Sequence, residues 1–263
     1  MKILFVADVF GRPGRRVLAE GLARARKRHA PAFTVVNGEN AAGGLGITPK
    51  IARGIFDAGA DVITSGNHVW DKREIYDTLD SEPRLLRPDN YPSENPGSGV
   101  WTGEADGIPI AVINLEGRVF MRDLECPFRR LDTLLDSDRL ADRRIVLVDF
   151  HAEATAEKIG FGRYAAGRVS AVIGTHTHVP SADARVLDGG TAYVTDAGMT
   201  GPHGGVIGVV AERAIERFLK LTPNRFDVAE EDVRFQGVVV TVEEESGRAT
   251  AIERFDEPER RER

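Results

Sequence analysis

Short runs of apolar and β-branched residues recur along the first three quarters of the chain, and amphipathic stretches separate several of them. The apolar runs predict strands at residues 3–7, 33–36, 61–64, 108–114, 144–149, 170–174 and 192–195. Apolar positions at helical spacing predict helices over residues 15–28, 49–58, 72–79, 155–166 and 211–220. Thr48 and Pro49 suit the N-cap and the first position of the second helix. Because the strand runs are continuous rather than alternating, they indicate strands covered on both faces, as in α/β folds.

The C-terminal part and one proline-rich segment depart from this alternation. Residues 233–243 and 248–255 flank an acidic turn that contains Gly247, which predicts an antiparallel hairpin. Residues 81–100 contain four prolines and no helical period, so we expect a long excursion over the surface. Residues 256–263 are expected to form a frayed tail. Since no repeat, low-complexity tract or linker interrupts the chain, we predict one domain over residues 1–263.

The composition is that of an ordinary globular protein, with 41% hydrophobic and 29% charged residues. The formal net charge of −6 argues against broad affinity for nucleic acid or an anionic membrane. A bound metal ion could still attract a small phosphorylated substrate. No apolar run approaches the roughly 20 residues that span a bilayer, and the N-terminal run breaks at Asp8, too early for a signal peptide. We therefore expect a cytoplasmic protein. Its single cysteine, Cys126, excludes an intrachain disulfide and a cysteine-rich zinc site.

Side chains that can bind metals follow the predicted strands at five places. They are Asp8, Glu39, Asn40, Asn67, His68, His151, His176 and His178. In α/β sheets the loops at the carboxyl ends of the strands converge on one edge, where ligands bind. Each residue by itself has an ordinary alternative: Asp8 could cap a helix, and His151 could be a hydrogen-bonded core histidine. The combination of imidazole, carboxylate and carboxamide groups favours iron, manganese or zinc and disfavours copper and calcium.

His176 and His178 give a more specific signal than any single residue. In an extended backbone the side chains at i and i+2 lie on the same side. Two imidazoles at this spacing can bind one metal ion, or one each of two adjacent ions. Two ions joined by a carboxylate can activate a water molecule and offset the charge of a phosphoryl group.

Six sequence strings between residues 7 and 202 resemble, in order and spacing, the YmdB-like family of calcineurin-type metallophosphoesterases. They are ADVFGRPGR, NGENAAGG, TSGNHVWDK, VDFHAEATAEK, GTHTHVPSAD and TDAGMTGP. The wider superfamily has a histidine where this chain has Phe10 and an aspartate where it has Glu39. Both departures are typical of the YmdB-like branch, so they favour that branch over a protein phosphatase.

The resemblance implies a fold and a set of metal ligands. The fold would be a four-layer α/β/β/α sandwich of two mixed sheets with helices outside. The cofactors would be two divalent or trivalent metal ions, with iron favoured over manganese or zinc. The implied ligands are Asp8, Asn40 and His178 for the first ion and Asn67, His151 and His176 for the second, with Glu39 bridging both. Asn40 has an alternative role, because it could orient Glu39 instead of binding a metal.

The same resemblance implies hydrolysis of small phosphodiesters, with 2′,3′-cyclic nucleotides as substrates. A hydroxide held by the metals would attack phosphorus in line, and His68 would protonate the departing ribose oxygen. The family is also associated with dimers or tetramers and with control of gene expression, so we expect a possible homo-oligomer.

Two other functions stay open on the sequence: a phosphomonoesterase or nucleotidase that uses the same metals, and a regulatory protein whose metal site is structural. Three further side chains have unresolved roles. Asp149 and Glu153 could orient His151 through its other ring nitrogen, or face solvent and cap the following helix. His203 lies in a glycine-rich loop, and we expect that it is not a ligand.

Overall fold

The computed structural model describes residues 1–223 and 225–260. The strands in that part of the chain are β1 (Lys2–Val6), β2 (Asp8–Val9), β3 (Phe33–Asn37), β4 (Val62–Thr64), β5 (Val100–Ala105), β6 (Ile108–Glu116), β7 (Ile145–His151), β8 (Ala171–Thr175), β9 (Arg185–Leu187), β10 (Thr191–Val194), β11 (Met199–Pro202), β12 (Val233–Val242) and β13 (Ala249–Pro258). The α-helices are α1 (Gly11–His29), α2 (Pro49–Ala58), α3 (Tyr76–Ser81), α4 (Pro127–Leu135), α5 (Thr155–Ala165) and α6 (Ala211–Lys220).

The strands form two mixed sheets. The first has seven strands, in the order β2-β11-β12-β1-β3-β4, with β13 paired to β12 outside this path. Its strands β1, β3 and β4 are parallel, whereas β12 runs antiparallel to β1. The second sheet has six strands, in the order β5-β6-β7-β8-β10-β9, of which β6, β7, β8 and β10 are parallel. In both sheets, parallel strands therefore bring several carboxyl ends to one edge.

Three apolar layers hold the sheets and helices together. Phe5 and Leu147 belong to a cluster between the two sheets. Leu18 and Ile55 pack α1 and α2 against the first sheet, and Phe161 packs α5 against the second. Burying each such side chain contributes roughly 1.5–3 kcal/mol to the free energy of unfolding. The arrangement confirms the four-layer α/β/β/α sandwich that the family resemblance implies.

The stronger helix predictions are confirmed. Helix α2 covers the predicted residues, with the Thr48 hydroxyl accepting a hydrogen bond from the Ile51 N–H and Gly59 ending it at φ 109°. Helix α6 also covers the predicted residues. Helix α1 begins four residues early, because Pro13 is accommodated in its first turn. The predicted helix at 72–79 is a 3₁₀ turn over Arg73–Ile75 followed by α3.

The prediction of a surface excursion at residues 81–100 is wrong for residues 85–91 and 99–100, which are buried, whereas residues 92–94 are exposed. Leu85 and Leu86 are buried, as is Tyr91. The Leu86 N–H donates to the Ile63 carbonyl at 2.8 Å, and the Ile63 N–H donates to the Arg84 carbonyl at 2.8 Å. This pairing extends the edge of the first sheet. The prolines prevent a helix here, but they do not prevent an apolar segment from entering the core.

The prediction of a frayed tail is also wrong where the structure describes it. Strand β13 continues to Pro258, which pairs with Arg234, and the Glu259 N–H donates to the Val233 carbonyl at 2.8 Å. Residues 261–263 lie outside the described part of the chain. The sequence patterns also missed β5, β9, β11 and α4. Within residues 1–223 and 225–260, none of the helices combines the length and the apolar character needed to cross a bilayer.

Candidate metal centre

The metal-capable side chains meet where the carboxyl ends of strands from both sheets face each other. From the first sheet come Asp8 at the start of β2, Glu39 and Asn40 after β3, and Asn67 after β4. From the second sheet come His151, the last residue of β7, and His176 and His178 after β8. The structure thus brings together every residue that the sequence predicts as a metal ligand.

These residues form two donor groups that share one carboxylate. The first donor group is Asp8, Glu39 and His178, and the second donor group is Glu39, His151 and His176. Within each group the donor atoms all lie within 4.8 Å of one another. Glu39 Oε2 lies 3.1 Å from His151 Nε2, whereas Asp8 Oδ2 lies 3.4 Å from His178 Nε2. The position of Glu39 in both groups is the one expected of a bridging carboxylate.

Two carboxamides lie beside the groups in different orientations. Asn67 Oδ1 is 3.1 Å from His151 Nε2, so its carbonyl oxygen faces the second donor group. Asn40 presents its nitrogen instead: Nδ2 donates to Glu39 Oε1 at 2.9 Å and lies 3.1 Å from His178 Nε2. This orientation is the one expected if Asn40 orients Glu39, the alternative role that the sequence left open. Ligation through its oxygen needs the carboxamide to turn over.

Each histidine is held through the ring nitrogen that does not face the other donors. His178 Nδ1 donates to the Ile207 carbonyl at 3.1 Å. His176 Nε2 lies 3.0 Å from a carboxylate oxygen of Glu153. Such contacts fix the ring orientation and the tautomer of metal-binding histidines. His176 Nδ1 and His178 Nε2 are consequently the nitrogens that face the donor groups.

The support for His151 runs through a hydroxyl group. His151 Nδ1 lies 2.9 Å from Thr175 Oγ1, and that hydroxyl donates to Asp149 Oδ1 at 2.6 Å. Asp149 also accepts a hydrogen bond from Asn37 Nδ2 at 2.9 Å. Burial nevertheless raises the pKa of Asp149 to about 6, against the lowering effect of His151 and its hydrogen bonds. The link from Asp149 to His151 is one of the two roles that the sequence left open for Asp149, but Thr175 as its intermediary was missed. Glu153 contacts His176 rather than His151.

The backbone of the two-histidine segment differs from the extended conformation that the sequence predicts. His176 has φ 100° and His178 has φ 64°, in the region that L-residues rarely adopt. The imidazoles of His176 and His178 lie in different donor groups. The predicted extended conformation is therefore wrong, whereas the division of the two histidines between two ions agrees with the ligand sets that the family resemblance implies.

The electrostatics of the centre are those of buried groups that pair with one another. Burial disfavours the charge on Glu39, but the adjacent His151 outweighs burial and lowers the pKa of Glu39 to about 2. Burial likewise opposes the charge on His151, yet Glu39 raises the pKa of that imidazole to about 9. Burial and the neighbouring His151 lower the pKa of His176 to about 3. Metal ligation of His151 therefore requires the loss of a bound proton.

The donor atoms fit a cation. Asp8 is fully buried, and its Oδ1 has no hydrogen-bond partner among the described residues. A buried carboxylate oxygen without a partner is costly, and a positive ion would offset that cost. Space is also reserved for the donors, since a Cβ at Gly66 would lie 2.2 Å from both Glu39 Oε2 and His151 Nε2. The mixture of oxygen and nitrogen donors suits iron, manganese or zinc.

A cavity of about 860 Å³ opens onto this centre. His68 lies in its wall, and His68 Nδ1 is 2.8 Å from an oxygen of Asp71, which leaves Nε2 as the nitrogen available to a bound molecule. Phe10 and Phe226 contribute apolar wall, and Arg217 contributes positive charge. The sequence missed Asp71, although it lies three residues after His68, because an acidic residue in a loop has many ordinary roles.

His203 does not belong to either donor group. Its Nε2 lies 3.0 Å from the Met199 carbonyl, and it does not line the cavity. The expectation that it is not a ligand therefore agrees with its position.

Comparisons with known proteins agree with this geometry. The family model described as YmdB-like protein matches residues 4–255. A Bacillus subtilis (strain 168) protein, 2′,3′-cyclic-nucleotide 2′-phosphodiesterase, is 47% identical over 97% of this chain and 96% of its own length. A hypothetical protein of Thermus thermophilus has a solved structure with 42% identity and a TM-score of 0.92, covering 99% of this chain and 100% of its own. A phosphatase structure from Mycoplasma pneumoniae gives 33% identity and a TM-score of 0.93, covering 98% and 93%.

Proposed function

Since the chain belongs to the YmdB-like family, we propose that it is a metal-dependent phosphodiesterase that hydrolyses 2′,3′-cyclic nucleotides. The 47% identical relative from B. subtilis carries that activity in its name, and the two chains align over nearly their whole lengths. The observation that carries the proposal is the shared position of Glu39, which belongs to both donor groups. A carboxylate that belongs to two donor groups, each of which also contains histidine, suits a centre with two metal ions. Because the site draws ligands from both sheets, we also propose that the two sheets act as one catalytic domain.

The side chains that would hold the ions follow from the two donor groups. Asp8 and His178 would bind the first ion, His151, His176 and Asn67 the second, and Glu39 both; Asn40 would bind the first ion or orient Glu39. Two ions in these positions would activate water and offset phosphoryl charge. Of the three metals that suit these donors, we propose iron.

His68 is the residue that we propose as the general acid. It lies in the cavity wall next to Asn67, and its N–H group lies 3.5 Å from Glu39 Oε2, so its backbone is held at the centre. Asp71 fixes the ring through Nδ1. From this position Nε2 would give a proton to the ribose oxygen as the bond between phosphorus and that oxygen breaks. Water supplies the oxygen of the new bond, and the product is a phosphomonoester.

The cavity fits a nucleotide better than a nucleic-acid chain. Its volume of about 860 Å³ lies within the range of small-molecule sites. Phe10, Leu45 and Phe226 would face the apolar surfaces of a base and ribose, and Arg217 would face the phosphate or the base. The net charge of −6 disfavours a long polyanion.

The proposal is tested by metal analysis coupled to turnover. We expect purified protein loaded with Fe²⁺ or Mn²⁺ to bind two ions per chain and to hydrolyse 2′,3′-cyclic AMP. A chelator should abolish the activity, and returning the metal should restore it. Protein that binds two ions but leaves cyclic nucleotides intact would contradict the substrate, and protein that binds none would contradict the whole proposal.

A phosphomonoesterase is the second candidate, because the M. pneumoniae relative with 33% identity is described as a phosphatase. Parallel assays with 2′,3′-cyclic AMP, 2′-AMP, 3′-AMP and 5′-AMP separate the two activities. We expect the cyclic diester to have the higher kcat/KM. The reverse order would favour the phosphomonoesterase.

A further inference from the structure

A buried ion pair lies directly behind the two-histidine segment. Lys158, on α5, is 1% exposed, and Asp196, after β10, is 2% exposed. Lys158 Nζ donates to Asp196 Oδ2 at 2.7 Å and to the Thr175 carbonyl at 2.7 Å. A buried ion pair is poor evidence of a gain in stability, because removing two charges from water is costly. The pair therefore calls for a reason other than folding stability.

Asp196 is bonded to the residue between the two histidines. Its Oδ2 accepts hydrogen bonds from the Thr177 N–H at 3.1 Å and from the Thr177 hydroxyl at 2.8 Å. Its Oδ1 accepts from the Gly198 N–H at 2.9 Å, which fixes the carboxylate plane. Because Lys158 donates to the Thr175 carbonyl and Asp196 accepts from the Thr177 N–H, the ion pair is hydrogen-bonded to the backbone on both sides of His176.

Residues 175–178, which the ion pair contacts, include the two residues with unusual backbone angles. With φ 100° at His176 and φ 64° at His178, this backbone persists only where the surroundings determine it. Close packing supports the same arrangement: a Cβ at Gly174 would lie 1.8 Å from the Thr195 carbonyl oxygen and 3.2 Å from the Lys158 side chain. Among residues 1–223 and 225–260, Asp196 is the carboxylate that accepts the Thr177 N–H.

We propose that Lys158 and Asp196 are positioning residues that hold the segment 175–178 so that His176 reaches the second donor group and His178 the first. Neither residue belongs to a donor group or lines the cavity. Both act through Thr175 and Thr177. This inference rests on the proposed dinuclear centre, and it assigns the shape of the segment to the ion pair.

The test measures Mn²⁺ affinity by calorimetric titration of metal-free protein, with kcat for 2′,3′-cyclic AMP and the melting temperature measured in parallel. Asp196→Asn weakens the acceptor of both Thr177 bonds, and we expect about 10–100-fold weaker Mn²⁺ binding, the usual effect of losing such support. Thr177→Val removes only the hydroxyl bond, so a smaller loss is expected from a protein with a near-normal melting temperature. Asp89→Asn is the matched control, because Asp89 is also a buried aspartate that pairs with a cation, Arg130, and accepts a backbone N–H, that of Gly99, but contacts none of residues 175–178.

A double variant separates positioning from stability. Lys158→Met with Asp196→Asn removes both buried charges, so the melting temperature should recover relative to either single variant. The Mn²⁺ affinity should stay low, because Thr177 still lacks its carboxylate. Recovery of both quantities together would overturn the inference, as would folded Asp196→Asn and Thr177→Val proteins with wild-type affinity. A wild-type protein that binds no pair of ions would contradict the proposed function and this inference with it.

Discussion

The two donor groups differ in how their histidines are supported. In the first donor group, His178 is 7% exposed and its outer nitrogen bonds to a backbone carbonyl, which carries no titratable charge. In the second donor group, His151 is supported through Thr175 by a buried carboxylate, and His176 by a carboxylate that is 49% exposed. The first group is therefore fixed mainly by the main chain and the second by ionisable side chains. We infer that the second group is the more easily altered by substitution and by pH.

The largest effect is expected where the two groups meet. Glu39→Gln replaces the shared carboxylate by a neutral carboxamide, which is a poor bridge. We expect activity to fall by about 10³-fold or more, since both ions lose a charged ligand at once. Metal analysis should show the loss of at least one ion. The exposed Glu125→Gln serves as the control for removing one negative charge, and two tightly bound ions in the Glu39 variant would refute the bridge.

His68 lies beside both groups and belongs to neither, so its removal should separate chemistry from metal binding. We expect His68→Ala to lower kcat by about 10²–10⁴-fold, the usual contribution of a general acid, with two ions still bound. Asp71→Asn should have a smaller effect, because it loosens the ring without removing it. Unchanged kcat at full metal content would eliminate the acid role.

How far the sequence predicts this site depends on the residue. Asp8, Glu39 and His151 follow strongly apolar strands, so their convergence at one edge could be predicted from hydrophobic runs alone. The angles at His176 could not, because the local sequence permits an extended strand and only the contacts of residues 175–178 with distant parts of the chain exclude it. Their roles as ligands stay part of the proposal.

In the fold, too, local features could be predicted from the sequence and features that depend on distant contacts could not. Helix α2 could be predicted because its cap, its first proline and its final glycine all lie within the helix or next to it in sequence. The path of residues 81–100 could not, because it depends on backbone pairing between Leu86 and Ile63, which are far apart in the chain. Prolines indicate that a segment does not form a helix, but they do not indicate whether the segment packs in the core or on the surface.

An intermediate effect is expected from the support of His151. Thr175→Val removes the hydroxyl that joins His151 to Asp149, and we expect Mn²⁺ affinity at one of the two sites to fall about 10–100-fold. Glu153→Gln is the matched comparison, because Glu153 contacts His176, the other histidine of the same donor group. Because Glu153 is 49% exposed, water can replace its contact with His176, and only a few-fold loss is expected. Equal losses in the two variants would remove the distinction between buried and exposed support.

The smallest expected effect is a gradual change with pH in the stability of the fold and in the Mn²⁺ affinity of the centre. In metal-free protein Glu39 raises the pKa of His151 to about 9 against the effect of burial, and the pKa of Glu39 is itself lowered to about 2. The pair therefore stabilises the fold fully between about pH 4.5 and 6.5, and this contribution is lost as pH rises through about 9 or falls toward 2. Metal binding has the opposite dependence at both donor groups, because the His151 proton must leave and because Asp8, against the effect of burial, raises the pKa of His178 as well.

We therefore expect Mn²⁺ affinity at the second donor group to weaken by about tenfold for each unit that pH falls below 8, the limit for one displaced proton. The loss should steepen near pH 6, where Asp149 takes up a proton and its support for His151 weakens. Titrations at pH 8, 7 and 6 in buffers of different ionisation enthalpy would count the protons released. Affinities at the two sites that fall in parallel from pH 8 to pH 6 would show that main-chain and carboxylate support do not differ in their sensitivity to pH. A steeper loss at the second site near pH 6 would show that the support of His151 through Thr175 and Asp149 makes the metal at that site the first to leave.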